Sequence, residues 1–186
     1  MDVLSATLKL LLLLALIRPA PFGAGQRDPQ PVYEQDVEAA FLYNFTKYVE
    51  WPALPADPGA PFRLCVVADA DFVKAIDRIV EGESVQGRRL ARIEPRSADE
   101  ARACQILYVG RSAVERGSRL LPALRQAPVL TVSDAPNFIA HGGTIQFVVE
   151  GGRVRFDVST AAAEQAGLTV SSKLLRVARH VEGRQP

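Results

Sequence analysis

Between residues 62 and 132 the chain repeats one pattern, a short apolar run followed by a stretch with helical spacing. The runs are Phe62 to Ala68, Gln105 to Val109 and Val129 to Val132, with a weaker one from Arg88 to Ile93. Runs so short and so continuously apolar suit strands buried on both faces, and such strands need a cover on each side of their sheet. The intervening segments supply the covers: Phe72 to Val80, Ala98 to Ala103 and Ala113 to Arg125 all carry apolar residues at helical spacing. Alternating strands and helices predict βαβ units and a mainly parallel sheet.

The rhythm changes in the C-terminal third. Thr144 to Val149 and Arg153 to Val158 alternate apolar and polar residues around Glu150-Gly151-Gly152, which predicts a β-hairpin. Helices are expected over Thr160 to Gln165, with Gly167 as its C′ residue, and over Ser172 to His180. Upstream, a helix is expected from Val32 to Val49, stopped by Trp51-Pro52 and followed by a proline-rich loop from Ala53 to Pro61. The expected fold class is α/β: a single domain over residues 32–182, its mainly parallel sheet flanked by helices and closed by a C-terminal hairpin. Residues 183–186 read as a tail.

The first residues read as an export signal, with Lys9 ahead of the apolar run Leu10 to Ile17 and small residues Gly23, Ala24 and Gly25 at a cleavage point. Arg18, Pro19 and Pro21 break that run well short of the roughly 20 residues a spanning helix needs. A cleaved signal peptide over residues 1–25, a mobile leader over 26–31 and a periplasmic location are expected. Cleavage removes Lys9, Arg18 and Asp2 and leaves equal numbers of acidic and basic side chains, interspersed along the chain. Nucleic-acid binding leans on a concentrated positive field, so no nucleic-acid partner is expected. Two cysteines remain, Cys65 and Cys104; an oxidising compartment favours a bridge between them, and two small buried hydrophobes are the alternative.

Catalytic chemistry finds little to stand on. With His141 and His180 far from both thiols there is no spacing for a metal site, and none is expected. His141, ahead of Gly142-Gly143, reads as a turn residue, and His180 as exposed or as offsetting the dipole of the last helix. No G-x-S-x-G elbow, P-loop or dinucleotide fingerprint occurs, so neither catalytic residues nor a cofactor are assigned. Asp69-Ala70-Asp71 suggests a phosphoacceptor domain, but Val109-Gly110-Arg111 stands where that fold needs an aspartate, and Asp71 reads as a helix cap or first-turn carboxylate. A cleft at the carboxyl ends of the strands would be ringed by Asp69, Gly110, Arg111, Ser112, Ser133 and Asp134. Gly110-Arg111-Ser112 opening a helix would offer free N–H groups and a guanidinium to an anion; ordinary strand-to-helix capping is the other reading.

The segment Ala39-Ala40-Phe41-Leu42-Tyr43-Asn44-Phe45-Thr46-Lys47-Tyr48-Val49-Glu50-Trp51-Pro52 resembles the opening of YfiR-like periplasmic proteins, an aromatic-rich helix ending in Trp-Pro. Further matches follow in the family's order: Phe62 to Val66, Cys104 to Gly110, Pro128 to Asp134, Gly143 to Phe147, Arg153 to Phe156 and Ala166 to Leu175. The resemblance implies an α/β domain that represses a membrane-bound diguanylate cyclase by binding its periplasmic portion, limiting cyclic-di-GMP signalling and biofilm formation. It also implies a homodimer, release by an outer-membrane lipoprotein in some members, and a disulfide between Cys65 and Cys104. Some relatives carry additional cysteines, and this sequence does not.

Tyr43, Tyr48 and Trp51 join polar handles to large apolar bodies, a type enriched at interfaces, and are the candidate partner-binding residues. Phe41, Phe45 and Val49 share one helical face and are expected in the core, with Asn44 as a polar exception among them. A regulatory protein that sequesters a membrane signalling enzyme is therefore expected; the rival is a periplasmic module binding a small ligand, an anion or nucleotide.

Overall fold

The computed structural model describes residues 29–183. The expected signal peptide, half of the leader and all but Gly183 of the tail lie outside the described residues. Helix α1 (Pro29–Phe45) opens the domain. It reaches back into the segment expected as leader, since proline in a first turn forfeits no helical hydrogen bond.

Ten strands follow: β1 (Val49–Glu50), β2 (Phe62–Val67), β3 (Ser84–Val85), β4 (Arg88–Ile93), β5 (Ile106–Val109), β6 (Leu130–Ser133), β7 (Ile145–Glu150), β8 (Arg153–Ser159), β9 (Thr169–Val170) and β10 (His180–Glu182). Between them lie α2 (Ala70–Val80), α3 (Ala98–Arg102), α4 (Val114–Ser118), α5 (Thr160–Gln165) and α6 (Ser172–Val177). Eight strands form one sheet in the order β10-β8-β7-β6-β5-β2-β4-β3. Pairings from β4 through β2, β5 and β6 to β7 are parallel, and the β7–β8 and β3–β4 hairpins are antiparallel. The mainly parallel sheet with a C-terminal hairpin matches the sequence reading.

The two-residue period of the central strands divides the core. Leu64, Val66, Ile106 and Tyr108 face α1 and α2, whereas Cys65, Val67, Leu107 and Val109 face α3 and the helical turns after β5. On the first face Phe41 and Phe45 pack against Phe147 and Phe156 of the hairpin, with ring centroids 5.2–6.0 Å apart. On the second, Cys65 of β2 and Cys104, just ahead of the neighbouring β5, are joined in a disulfide with Cα atoms 5.9 Å apart.

Three expected helices are shorter or broken. α1 ends at Phe45 rather than Val49, because the N–H groups of Thr46, Lys47 and Tyr48 bond three residues back and Val49-Glu50 leave to pair with Val170-Thr169. The helix expected from Ala113 to Arg125 is a 3-10 turn, the short α4 and a second 3-10 turn. Gly117 lies so close to Val109 that a Cβ would fall 2.2 Å from its Cγ1, and Pro122 removes a donor further on. The last helix stops at Val177, so His180 caps no helix; it begins β10, in register with Asp157 of β8. Arg179, immediately before it, donates from Nε to Asp157 at 2.8 Å, which turns the chain back onto the sheet edge.

Other local expectations hold in detail. Gly151 and Gly152 take φ values of 57° and 70° in the β7–β8 turn, the left-handed pair a tight hairpin needs. Gly167 ends α5 at φ 70°, with the N–H of Leu168 bonded to the Ala163 carbonyl and its own to Glu164, a Schellman closure.

The disulfide closes a loop across a separation of 39 residues. We expect reduction to lower stability by roughly 3–4 kcal/mol, the chain-entropy value for a loop of about 40 residues. Urea unfolding of the oxidised and reduced protein measures this. Two thiols that alkylate freely in untreated protein would contradict the bridge.

Candidate functional site

Strand β2 is the point where the chain order reverses: after it the chain passes to β4 on one side, then crosses to β5 on the other. The crevice at such a reversal, outside the carboxyl ends of parallel strands, is where open α/β sheets have room for a ligand. Here it is a cavity of about 380 Å³ lined by residues that leave β2, β5 and β6 and by one face of α1. The sequence-derived candidates Asp69, Gly110, Arg111, Ser112 and Asp134 all meet at it.

Asp69 caps α2. Its Oδ1 accepts from the N–H groups of Asp71 and Phe72 at 3.1 and 3.0 Å, and its Oδ2 from the Ser112 hydroxyl at 3.2 Å. Asp71 is the first-turn carboxylate, within 2.9 Å of Lys74. Gly110 lets the β2 and β5 exits approach, since a Cβ there would stand 3.2 Å from that of Ala68.

The donors expected to hold an anion are occupied from within. The backbone N–H and the Nε of Arg111 each donate to Asp134, both at 2.6 Å. With Glu34 and Asp69 also lining the cavity, its charge is acidic. The short 3-10 turn from Arg111 to Ala113 opens no long helix, so little dipole remains to draw an anion. Ser133, also expected at the rim, is fully buried; its hydroxyl donates to the Val109 carbonyl at 2.6 Å and accepts from Ala135 at 3.0 Å, which ties β6 to β5 instead.

Glu38 and Tyr108 are among the cavity residues that escaped the sequence reading. Glu38, only 4% exposed, projects from α1 and accepts at Oε2 from the hydroxyl of Tyr108 at 2.9 Å. Tyr108 in turn stacks on Phe72, with centroids 4.2 Å apart. Burial, chiefly, pushes Glu38 up to about 8; the Asp134 charge adds to this, while the Tyr108 hydrogen bond and Arg111 pull the other way. Burial, then the adjacent carboxyl, raises Tyr108 well above its ordinary value. The signal for Glu38 was in the sequence, for it stands four and seven residues before Leu42 and Phe45 on the buried stripe of α1.

The candidate partner-binding residues fare differently from one another. Tyr48 is 38% exposed. Tyr43 is half-buried, its hydroxyl donating to Glu83 at 2.5 Å and its ring lying under Lys47 Nζ at 4.3 Å. Trp51 is buried and no contact surface: its indole N–H donates to the Gln105 carbonyl at 3.0 Å and its ring meets Phe62 edge-on. Phe45 and Val49 are core residues, Phe41 packs against the core, and Asn44 is exposed on the outer face of α1. Among the described residues no three acidic, cysteine or histidine side chains converge as metal ligands.

Such a fold is an α/β domain with a polar pocket at its switch point. Residues 35–179 match the family model described as YfiR/HmsC-like, and the chain belongs to that family, one of periplasmic regulatory proteins. Among solved structures, a conserved domain protein from Vibrio cholerae is similar with TM-score 0.52 and 12% identity. The ABC domain in complex with L-Trp from Streptococcus pneumonia is similar with TM-score 0.51 and 10% identity. Each likeness covers 80% of this chain and 60% of the other, and at such identities it concerns the fold alone.

The raised value of Glu38 has a stability consequence. Below its ordinary value of 4.5 the acid is neutral in both folded and unfolded states; between 4.5 and about 8 only the folded state keeps the proton. Stability therefore falls as pH rises through that window, by on the order of 5 kcal/mol, and levels off above it. Urea unfolding from pH 5 to 9 measures the slope, and Glu38→Gln is expected to remove it.

Proposed function

We propose that this protein restrains an inner-membrane diguanylate cyclase by binding the enzyme's periplasmic sensor region, so that its output is capture rather than turnover. Membership of the YfiR/HmsC-like family over residues 35–179 carries the reading. The Cys65–Cys104 disulfide supports it, since such bridges persist in oxidising compartments. Export through cleavage of residues 1–25, a homodimeric state and release by an outer-membrane lipoprotein belong to the same proposal. Tyr48 is the contact candidate best supported by exposure, an amphipathic aromatic of the kind that concentrates binding energy.

Deleting the gene is expected to raise cellular cyclic-di-GMP and surface attachment, and the protein should co-purify with a membrane cyclase. Tyr48→Ala should mimic deletion while costing the domain less than about 1 kcal/mol, as exposed substitutions do. Unchanged cyclic-di-GMP on deletion, in cells expressing the cyclase, together with failure to recover a membrane partner, would overturn the proposal.

A further inference from the structure

On the face of the sheet closed by short turns, a second cavity of about 360 Å³ opens between α4 and the loop that follows β6. Val114 of α4, Leu121 and Pro122 of the second 3-10 turn, and Ala135, Pro136 and Phe138 of the loop make its walls. Ala135 and Phe138 are buried, whereas Val114 is exposed. The two prolines bring no N–H to the surface, so the walls offer a solute carbon and few donors. They are also fixed in place. Gly143 stands so close to Phe138 that a Cβ there would fall 2.1 Å from the ring, and its N–H bonds the Phe138 carbonyl at 3.0 Å. Small-molecule sites are mostly apolar, largely pre-formed concavities with a few polar groups, and this volume falls in their range.

The polar groups decide what the solute must carry. Arg125 is the one permanent charge among the lining residues, and among the described residues no carboxylate lines the cavity. The Arg125 guanidinium makes no ion pair or hydrogen bond with the described residues. Neighbouring arginines are engaged, Arg102 with Asp99 and the Ala123 carbonyl, Arg116 with Glu94, and Arg119 with the Glu115 carbonyl. Asp134, next to Ala135 in the chain, is taken by Arg111. His141 also lines the cavity, its Nδ1 held by the Asn137 carbonyl at 2.7 Å, and the Ser118 hydroxyl donates to the Glu115 carbonyl. A cationic solute would be repelled by Arg125, and a neutral hydrocarbon would cover the guanidinium without pairing it. Acetate or phosphate would leave the apolar walls in water.

We propose that this cavity binds a small monocarboxylate with an apolar tail, of the size of a medium-chain fatty acid, with its carboxylate on Arg125 and its tail against Val114, Leu121 and Phe138. Arg125 also borders the polar surface beside Arg102 and Gln126, so the head group keeps its contact with water while the tail is withdrawn from it. The site shares no lining residue with the crevice at the switch point. It gives the protein an anionic ligand at a place other than the one the sequence suggested. The inference goes beyond the repressor reading and does not depend on it.

Titration calorimetry of the full chain with octanoate, against 1-octanol, octylammonium and acetate, tests this directly. Octanoate is expected to bind about tenfold more tightly than each control, the worth of one charge-assisted hydrogen bond. Its affinity should fall as salt screens the exposed Arg125 charge. Arg125→Gln should weaken octanoate about tenfold and leave octanol unchanged, while Arg125→Lys, which keeps the charge, should stay within about threefold of wild type. Val114→Glu, an exposed change that sets a like charge against the carboxylate, should also weaken octanoate. Amide shifts in nitrogen-15-labelled protein locate the ligand and are expected at Ser118, Arg125 and Phe138 rather than at Asp69 and Gly110. Circular dichroism checks each variant's fold; should one not fold, the head-group preference and the wild-type shift map decide. The proposal is overturned if octanoate does not bind at millimolar concentration, or if octanol or octylammonium binds as tightly. It is equally overturned if folded Arg125→Gln binds octanoate like wild type, or if the shifts gather at the switch-point crevice.

Discussion

Strand β5 is buried along its whole length, Ile106 to Val109, and lies in the middle of a sheet whose two faces must both be kept from water. Most of the architecture answers that requirement. One face is closed by α1 and α2, anchored through the cluster of Phe41, Phe45, Phe147 and Phe156, and the other by short helical turns and the Cys65–Cys104 bridge. The asymmetry is physical. Long helices with aromatic ridges suffice where they cover several strands, whereas pieces as short as α3 and α4 bury little and lean on the covalent tie beside them.

The central strands and the β7–β8 hairpin were legible in the sequence because their signals are local: unbroken apolar runs, and a glycine pair where both residues need positive φ. What escaped was decided at a distance. Gly117 breaks its helix because Val109 of the neighbouring strand leaves no room for a side chain. Trp51 carries the composition of a contact residue but finds its hydrogen-bond partner at Gln105, more than fifty positions away, and goes inside. His180 continues a helical pattern that ends when Arg179 pairs with Asp157.

The site was legible in part for the same reason. Asp69, Gly110, Arg111, Ser112 and Asp134 follow from the rule that parallel strands expose their carboxyl ends, and they do meet. Its chemistry did not follow, because that depends on which charges pair. Asp134 takes the donors of Arg111, and a helix that precedes the first strand of the main sheet contributes the buried acid. An arginine at a strand exit is a weak predictor of anion binding until its carboxylate neighbours across the sheet are known, since pairing with Asp134 removes the free charge.

Both margins of the eight-stranded sheet finish in very short strands, β3 with two residues and β10 with three. A margin of that length offers an incoming chain almost no ladder of backbone groups to extend. At those two strands, addition of another polypeptide's backbone is limited to a short ladder. Association through the helical and loop surfaces is made by side chains. Recognition is therefore written in residue identity, where a single substitution can retune it without disturbing the backbone beneath.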